Sequence, residues 1–110
     1  METVSFEEFR KLQLRVAKIV EAEKVDGSDK LLKLQIRIGN ENRTLVAGIA
    51  EHYAEDELLG KKIVVVANLE PKKLKGIDSQ GMLLAAESAG GQLALLGVDH
   101  RDIPDGAEVH

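Results

Sequence analysis

The stretch Leu32-Lys33-Leu34-Gln35-Ile36-Arg37-Ile38 alternates apolar and polar residues without a break. Successive side chains of a β-strand point to opposite faces, so this alternation predicts a strand with one buried face. The residues that follow, Gly39-Asn40-Glu41-Asn42, are typical of a tight turn. They predict a hairpin that leads into another strand over Arg43–Ile49.

The segment upstream predicts a short helix followed by a strand that bends. From Leu12 apolar residues recur at every second position as far as Val16, whereas Ile19 falls out of phase with Val20. A change of phase requires a bulge or bend, which is how a strand turns the corner of a barrel. Before this strand, the sequence Ser5-Phe6-Glu7-Glu8 has the capping-box pattern and predicts a helix over residues 6–11.

The remaining segments predict a second helix and three more strands. They are a helix over Glu51–Leu59, a strand buried on both faces over Ile63–Ala67, and short strands over Met82–Ala86 and Leu93–Leu96. Five or six short strands, with a helix at the start and another after the third strand, indicate an all-β fold with short helices. The architecture that fits is the OB-fold, a five-stranded Greek-key barrel. We expect residues 1–110 to form one such domain.

The composition argues against catalysis and against bound metals or other cofactors. The chain has no cysteine, which excludes disulfides and thiolate metal sites and is compatible with a reducing cytoplasm. His52, His100 and His110 are far apart, and none has a companion at metal-ligand spacing. No phosphate-cradling glycine motif or nucleophile elbow is present. No apolar run is long enough to span a bilayer, so we expect no membrane partner.

The charge distribution is more informative than the net charge. A formal charge of −4 argues against nucleic acid if it is taken whole, because phosphate binding depends on Lys and Arg. Between Lys61 and Gly76, however, five lysines stand against a single acid, Glu70. Pro71 fixes a backbone angle before the last three of them, so we expect these three on one short turn, although a solvated loop remains an alternative. They are Lys72, Lys73 and Lys75.

The scarcity of aromatic residues bears on the kind of nucleic acid. The only rings are Phe6, Phe9 and Tyr53. OB-fold proteins that hold single strands stack successive bases on aromatic side chains. Because Phe6 and Phe9 are spaced i,i+3 in the first predicted helix, we assign them to the core. Recognition of the shape and backbone of a folded RNA is therefore the better RNA hypothesis.

One long motif carries a resemblance to a known family. Residues 68–82 read Asn-Leu-Glu-Pro-Lys-Lys-Leu-Lys-Gly-Ile-Asp-Ser-Gln-Gly-Met. This closely resembles the signature of the tRNA-binding domain at the C-terminus of many methionyl-tRNA synthetases, which also occurs in stand-alone structure-specific tRNA-binding proteins. The resemblance extends upstream through residues 14–16, 29–31, 43–48 and 59–62. The chain departs from the family at two places. In the loop Val25–Ser28 the family often has a Pro and an Ala, and at the position of Ala47 it commonly has a Ser.

The resemblance implies an OB-fold that binds the outer corner of folded tRNA and forms homodimers, with a methionyl-tRNA synthetase catalytic subunit as a further possible partner. It also implicates Lys30, Ser79 and Met82 in tRNA binding. For these three the alternatives are a surface lysine, a turn-forming serine and a core methionine. Asn68 either supports the lysine turn by hydrogen bonds within its own loop or contacts tRNA directly. Arg43 either reaches a phosphate or makes a cross-strand pair.

Two other functions remain open. A dimeric chaperone-like protein of bacterial secretion shares the fold and binds peptides, but in that branch the positions matching Leu69–Met82 typically carry arginines and lack the Ser-x-Gly-Met ending. A pure dimerisation module that joins two synthetase subunits is the other alternative. The negative net charge favours the dimerisation module, and the lysines of residues 61–76 argue against it.

Overall fold

The computed structural model describes all residues 1–110, and most of its regular structure is in short β-strands. The elements in chain order are α1 (Phe6–Phe9), β1 (Leu14–Lys24), β2 (Leu32–Ile38), β3 (Glu41–Ala47), α2 (Glu55–Leu58), β4 (Lys62–Val66), β5 (Lys72–Leu74), β6 (Ile77–Ser79), β7 (Met82–Leu83), β8 (Ala85–Glu87), β9 (Leu93–Leu95) and β10 (Glu108–Val109). None of the helices has the length and apolarity that crossing a membrane requires.

The main sheet runs in the order β3-β2-β1-β4-β7, with all neighbours antiparallel. Strand β1 is shared between two partners, because Leu14–Lys18 pairs with β4 and Lys18–Lys24 pairs with β2. The register with β2 shifts between Ile19 and Glu21, which leaves Val20 as the extra residue of a bulge. The predicted bend is therefore confirmed at the position where the apolar phase changes.

The two edges of this sheet approach each other where β3 meets the end of β6. The amide of Val46 donates to the Ser79 hydroxyl at 3.0 Å. The amide of Gln80 donates to the Thr44 carbonyl at 2.8 Å, and the Gln80 Oε1 accepts from the Thr44 amide at 2.9 Å. These bonds satisfy the outer edge of β3 and close the curled sheet into the expected OB barrel, with α2 following the third strand. Inside lies a core of β-branched and leucine side chains that includes Ile19, Leu34, Ile36, Leu45, Ile63 and Val65.

The C-terminal segment fills the space beside the first half of β1, where β2 does not reach. Strand β10 pairs with Leu14 and Arg15 there. Asp105 accepts hydrogen bonds from the Gly39 amide at 2.7 Å and from Arg37 at 3.1 Å. Because these contacts join residues far apart in the chain, the sequence pattern carried no signal for β10.

Several boundaries differ from the prediction. Strand β3 covers Glu41–Ala47 and not Arg43–Ile49, because Ile38 pairs with Glu41 and the turn is only Gly39 and Asn40. The first helix ends at Phe9 and contains no buried residue, so the assignment of Phe6 and Phe9 to the core is wrong. Helix α2 covers only Glu55–Leu58, because a turn bonded to the Ile49 carbonyl occupies residues 50–53. The predicted strand over residues 82–86 divides into β7 and β8. At Leu84 the chain leaves its partner β4 and begins to pair with β9.

Candidate nucleic-acid interface

The lysine-rich motif forms a β-hairpin, β5–β6, that projects from the end of β4; we call it the lysine hairpin (residues 72–79). Leu74 pairs with Ile77, so Lys75 and Gly76 are the two residues of the turn. Their φ angles are 48° and 78°. Positive φ at both positions defines a type I′ turn, whose twist matches that of the flanking strands. Lys75 is the only residue other than glycine with positive φ in the chain.

The three lysines of the hairpin do not lie together on one turn, contrary to the prediction from the sequence. Only Lys75 lies in the turn, whereas Lys72 and Lys73 are successive residues of β5 and point to opposite faces. Lys73 lies opposite Asp78 and pairs with it at 3.3 Å between Nζ and Oδ1. The prediction that all three lysines share one short turn is therefore wrong. A two-residue turn leaves the other two lysines on the strand that leads into it.

The structure separates the five lysines of residues 61–76 into engaged and free side chains. The Lys62 Nζ donates to the carbonyls of Arg101 at 2.9 Å and Ile103 at 2.6 Å, at the start of β4 and away from the hairpin. Lys61, Lys72 and Lys75 are exposed and make no ion pair or side-chain hydrogen bond. The Lys73–Asp78 pair is also exposed, and such surface pairs contribute only about 0–1 kcal/mol. Breaking this pair therefore costs little.

An apolar groove lies between the lysine hairpin and the barrel. Its walls include Leu69, Leu74 and Met82, and Lys72 lies at its rim together with Glu70. Met82 is 50% exposed, so it is not the core residue that the alternative reading of the sequence offered. A methionine that is half exposed beside a lysine offers a flexible apolar contact to a sugar or base.

Ser79 is buried, with only 4% of its surface exposed. Its hydroxyl accepts from the Val46 amide and donates to the Gly81 carbonyl at 3.1 Å. The one hydroxyl proton is thus already used inside the chain. In this arrangement Ser79 closes the barrel at the base of the hairpin and presents nothing to a phosphate.

Asn68 fastens the start of the hairpin segment to the region after α1. Its Oδ1 accepts from the Gln13 amide at 2.7 Å, and its Nδ2 donates to the Lys11 carbonyl at 2.6 Å. The expected hydrogen bonds within its own loop are absent. The partners lie more than fifty residues away in sequence, which is why local reasoning did not find them.

Arg43 is engaged on every side of its guanidinium. It pairs with Glu41, two residues earlier on the same strand, at 2.9 Å between Nε and Oε2. Its Nη1 donates to the carbonyls of Ala67 and Gln80. The residue opposite Arg43 on β2 is Ile36, so the ion pair with Glu41 lies along one strand and is not the predicted cross-strand pair.

Lys30 lies apart from the hairpin, in the loop between β1 and β2. Its side chain is exposed, and its carbonyl accepts from the Ala50 amide at 3.0 Å. The loop leads into Leu32, which pairs with Ala47 next to Val46. Lys30 therefore lies toward the same end of the β2–β3 pair that Ser79 contacts.

Two features were missed by sequence reasoning. Gln80 uses both its backbone and its side chain to bind Thr44, although it stands inside the motif that was singled out. The second feature is an exposed apolar surface, which we call the N-terminal patch. It consists of Phe6, Phe9, Leu12 and Val109, which border one shallow groove. Phe6 is 71% exposed and Phe9 41%, and their i,i+3 spacing was in fact the signal of this outward stripe.

Comparisons with known proteins identify the family of the chain. The family model described as "Putative tRNA binding domain" matches residues 14–108. The methionine–tRNA ligase of Thermotoga maritima is 59% identical over 106 residues, which is 96% of this chain and 16% of that protein. The chain thus spans about a sixth of the length of this relative.

Solved structures include a protein related to methionyl-tRNA synthetases and also a chaperone with a similar fold. A methionyl-tRNA synthetase related protein from Pyrococcus horikoshii matches with a TM-score of 0.94 and 44% identity, over 100% of both chains. The chaperone CsaA from Bacillus anthracis matches with a TM-score of 0.89 and 27% identity, over 99% of this chain and 100% of that one. Because the family model and the relatives cover nearly all of its residues, the chain belongs to the tRNA-binding domain family found in methionyl-tRNA synthetases.

Proposed function

We propose that residues 1–110 form one OB-fold domain that binds folded tRNA by shape and phosphate contacts and catalyses no reaction itself. It acts as the C-terminal domain or beta subunit of a methionyl-tRNA synthetase, or as a stand-alone tRNA-binding protein of the cytoplasm. The observation that carries this proposal is the lysine hairpin. It carries the exposed, unpaired cations Lys72 and Lys75 on a hairpin of a tRNA-binding family domain.

The electrostatics of the hairpin suit an RNA backbone. Each phosphate neutralised on a duplex adds roughly 0.9 to the salt dependence of the binding constant, so a few well-placed lysines give measurable affinity. Acidic side chains elsewhere account for the net negative charge. We propose that Lys72, Lys75 and Lys30 contact phosphates, that Lys73 exchanges Asp78 for one, and that Met82 contacts a sugar or base.

The positions of the rings support recognition of shape over stacking. The Tyr53 hydroxyl accepts a hydrogen bond from the Leu95 amide at 3.0 Å, and Phe6 and Phe9 belong to the N-terminal patch. None of these rings borders the groove beside the lysine hairpin. A series of stacked bases has no platform there, whereas a folded RNA presents its backbone.

We further propose a homodimer formed through the N-terminal patch. Exposed aromatic and leucine side chains at one end of a small chain are typical of an interface that is covered in the working assembly. A dimer places two lysine hairpins in one particle, which raises the apparent affinity for a tRNA that reaches both. When the domain is attached to a methionyl-tRNA synthetase, the same contact joins two catalytic subunits.

A second candidate is peptide binding, as the name of the similar chaperone suggests. The groove lined by Leu69, Leu74 and Met82 is the feature that favours it, since apolar side chains of a peptide fit such a surface. A pure dimerisation module needs only the N-terminal patch and leaves the lysine hairpin without a role.

A competition experiment decides among these functions. Labelled unfractionated tRNA is bound to the protein and displaced with either unlabelled tRNA or unstructured RNA of equal length. The proposal expects folded tRNA to compete far better than unstructured RNA. Equal, weak competition by both RNAs contradicts it, and binding of an unfolded peptide in place of RNA would support the chaperone function.

A further inference from the structure

The lysine hairpin is joined to the barrel by two stretches of chain, and one side chain contacts both. The segment leaves β4 at Ala67 and returns to the barrel at Gln80. The Arg43 Nη1 donates to the Ala67 carbonyl and, at 3.3 Å, to the Gln80 carbonyl. A single guanidinium on β3 thus ties the start of the hairpin segment to its end.

Glu41 fixes the orientation of this guanidinium. Its carboxylate accepts from the Arg43 Nε at 2.9 Å and from Nη2 at 3.3 Å, which is the two-point geometry that guanidinium and carboxylate favour. Nη1 is then left directed at the two carbonyls. The Arg43 side chain is 20% exposed, and its charge is balanced by Glu41. Little of the group remains to attract a phosphate.

Ser79 and Gln80 already bind β3 at the end of the hairpin, and Arg43 adds a link from that end to Ala67 at the start of the segment. Apart from these contacts, β5 and β6 form a two-stranded sheet of their own. A two-stranded hairpin is marginally stable in water unless it packs against something. A mobile hairpin loses conformational entropy when its lysines bind a ligand. A hairpin that is already held in place loses less, so it binds more tightly.

We propose that Arg43, held by Glu41, is a positioning residue that fixes the lysine hairpin for tRNA, and that it does not itself contact tRNA. This inference rests on the proposed function for its link to tRNA. The fastening of the hairpin is a separate claim that can be measured without any RNA.

The first test uses amide hydrogen exchange of the free protein. In Arg43→Lys the single ammonium cannot reproduce the bonds to Glu41 and to both carbonyls. Exchange of the amides in residues 72–79 should then become faster, while amides of the barrel core, such as those of Leu34 and Ile63, keep their protection. Unchanged exchange in the hairpin overturns the fastening, whatever the chain binds. If exchange is faster in Arg43→Lys but the wild-type protein does not bind tRNA, the fastening stands and only the proposed function is contradicted.

The second test separates positioning from contact by the salt dependence of tRNA binding. If Arg43 positions the hairpin, Arg43→Lys and Arg43→Gln both weaken binding by roughly tenfold and leave the salt slope unchanged. If Arg43 contacts a phosphate, Arg43→Lys keeps most of the affinity, and Arg43→Gln lowers the slope by roughly 0.9. The latter pattern overturns the proposal.

Glu41→Gln should change the affinity for tRNA in opposite directions, depending on whether Arg43 contacts tRNA or positions the hairpin. Removing the carboxylate frees the charge of Arg43, so a contacting arginine would bind tRNA more tightly. A positioning arginine loses its orientation, and binding weakens. The control is Glu87→Gln, which makes the same change in net charge on exposed β8, where Glu87 has no ion pair. Tighter binding by Glu41→Gln than by this control contradicts the proposal.

Discussion

The backbone amide of Val46 donates a 3.0 Å hydrogen bond to the hydroxyl of Ser79, a residue that is almost fully buried. The amide belongs to the outer edge of β3, which no other strand of the sheet covers. The same hydroxyl donates to the Gly81 carbonyl. One side chain therefore contributes to the closure of the barrel, together with Gln80, and also contacts the chain between the lysine hairpin and β7.

Ser79→Ala should destabilise the fold without changing the salt dependence of tRNA binding. The substitution leaves a buried amide without its partner, which costs about 1–3 kcal/mol. Urea denaturation measures the loss, and Ser88→Ala is the control, since the Ser88 hydroxyl accepts from the Gln92 amide at an exposed turn. A Ser79→Ala protein of full stability that has lost tRNA affinity and salt slope would instead identify Ser79 as a phosphate contact.

Gly81→Ala should be more damaging than Gly90→Ala. A Cβ at Gly81 would lie 2.8 Å from the Val66 carbonyl oxygen, and the φ of +130° is unfavourable for any residue with a side chain. At Gly90 the nearest atom to a Cβ is 3.9 Å away. We expect a loss of a few kcal/mol in unfolding free energy for Gly81→Ala and little change for Gly90→Ala. Similar midpoints of urea denaturation for both variants would contradict this account of the motif.

The sequence predicted the barrel because the pattern of apolar residues follows the burial of its strands. The alternation in residues 32–38 and the phase change at Val20 both report which side chains face the core. The lysine hairpin was missed because β5 and β6 have three residues each, too few to show a period. The signal was present in Leu74-Lys75-Gly76-Ile77, where a glycine at the second turn position stands between two apolar residues.

The site was harder to predict than the fold because its residues are joined across the chain. The hydrogen bonds of Asn68 to Lys11 and Gln13, and those of Arg43 to Ala67 and Gln80, depend on the closed barrel. Residue type and neighbours carried no information about these partners. Polar residues that looked available for RNA, such as Asn68 and Arg43, are consequently engaged in hydrogen bonds within the chain.

If the proposed homodimer forms through the N-terminal patch, Phe6→Asp should convert it to a monomer. Phe6 is exposed in the single chain, and a carboxylate at its position would be desolvated in the proposed interface without a partner to offset that cost. Light scattering coupled to size-exclusion chromatography measures the mass. Leu59→Asp serves as the control, since Leu59 is also exposed but lies after α2. A dimer that survives Phe6→Asp, or is lost in the control, would show that the interface lies elsewhere.

Asn68→Ala should loosen the junction between α1 and β1. The Gln13 amide and the Lys11 carbonyl both lose their partner, so trypsin should cleave after Lys11 faster than in the wild-type protein. Stability should fall by about 1 kcal/mol. The control is Asn42→Ala, because Asn42 is exposed on β3 and its side chain makes no hydrogen bond. Equal cleavage rates in the two variants would refute this role.

The measurement that tests the central claim most directly is the salt dependence of tRNA binding in two double variants. Lys72→Gln with Lys75→Gln removes the two unpaired lysines of the hairpin. Lys61→Gln with Arg101→Gln removes the same charge at the far end of β4. We expect the first pair to weaken binding and to reduce the slope of log K against log salt by roughly 0.9 for each phosphate that is no longer neutralised, and the second pair to leave the slope unchanged. Equal slopes in both double variants would contradict binding of tRNA by the lysine hairpin.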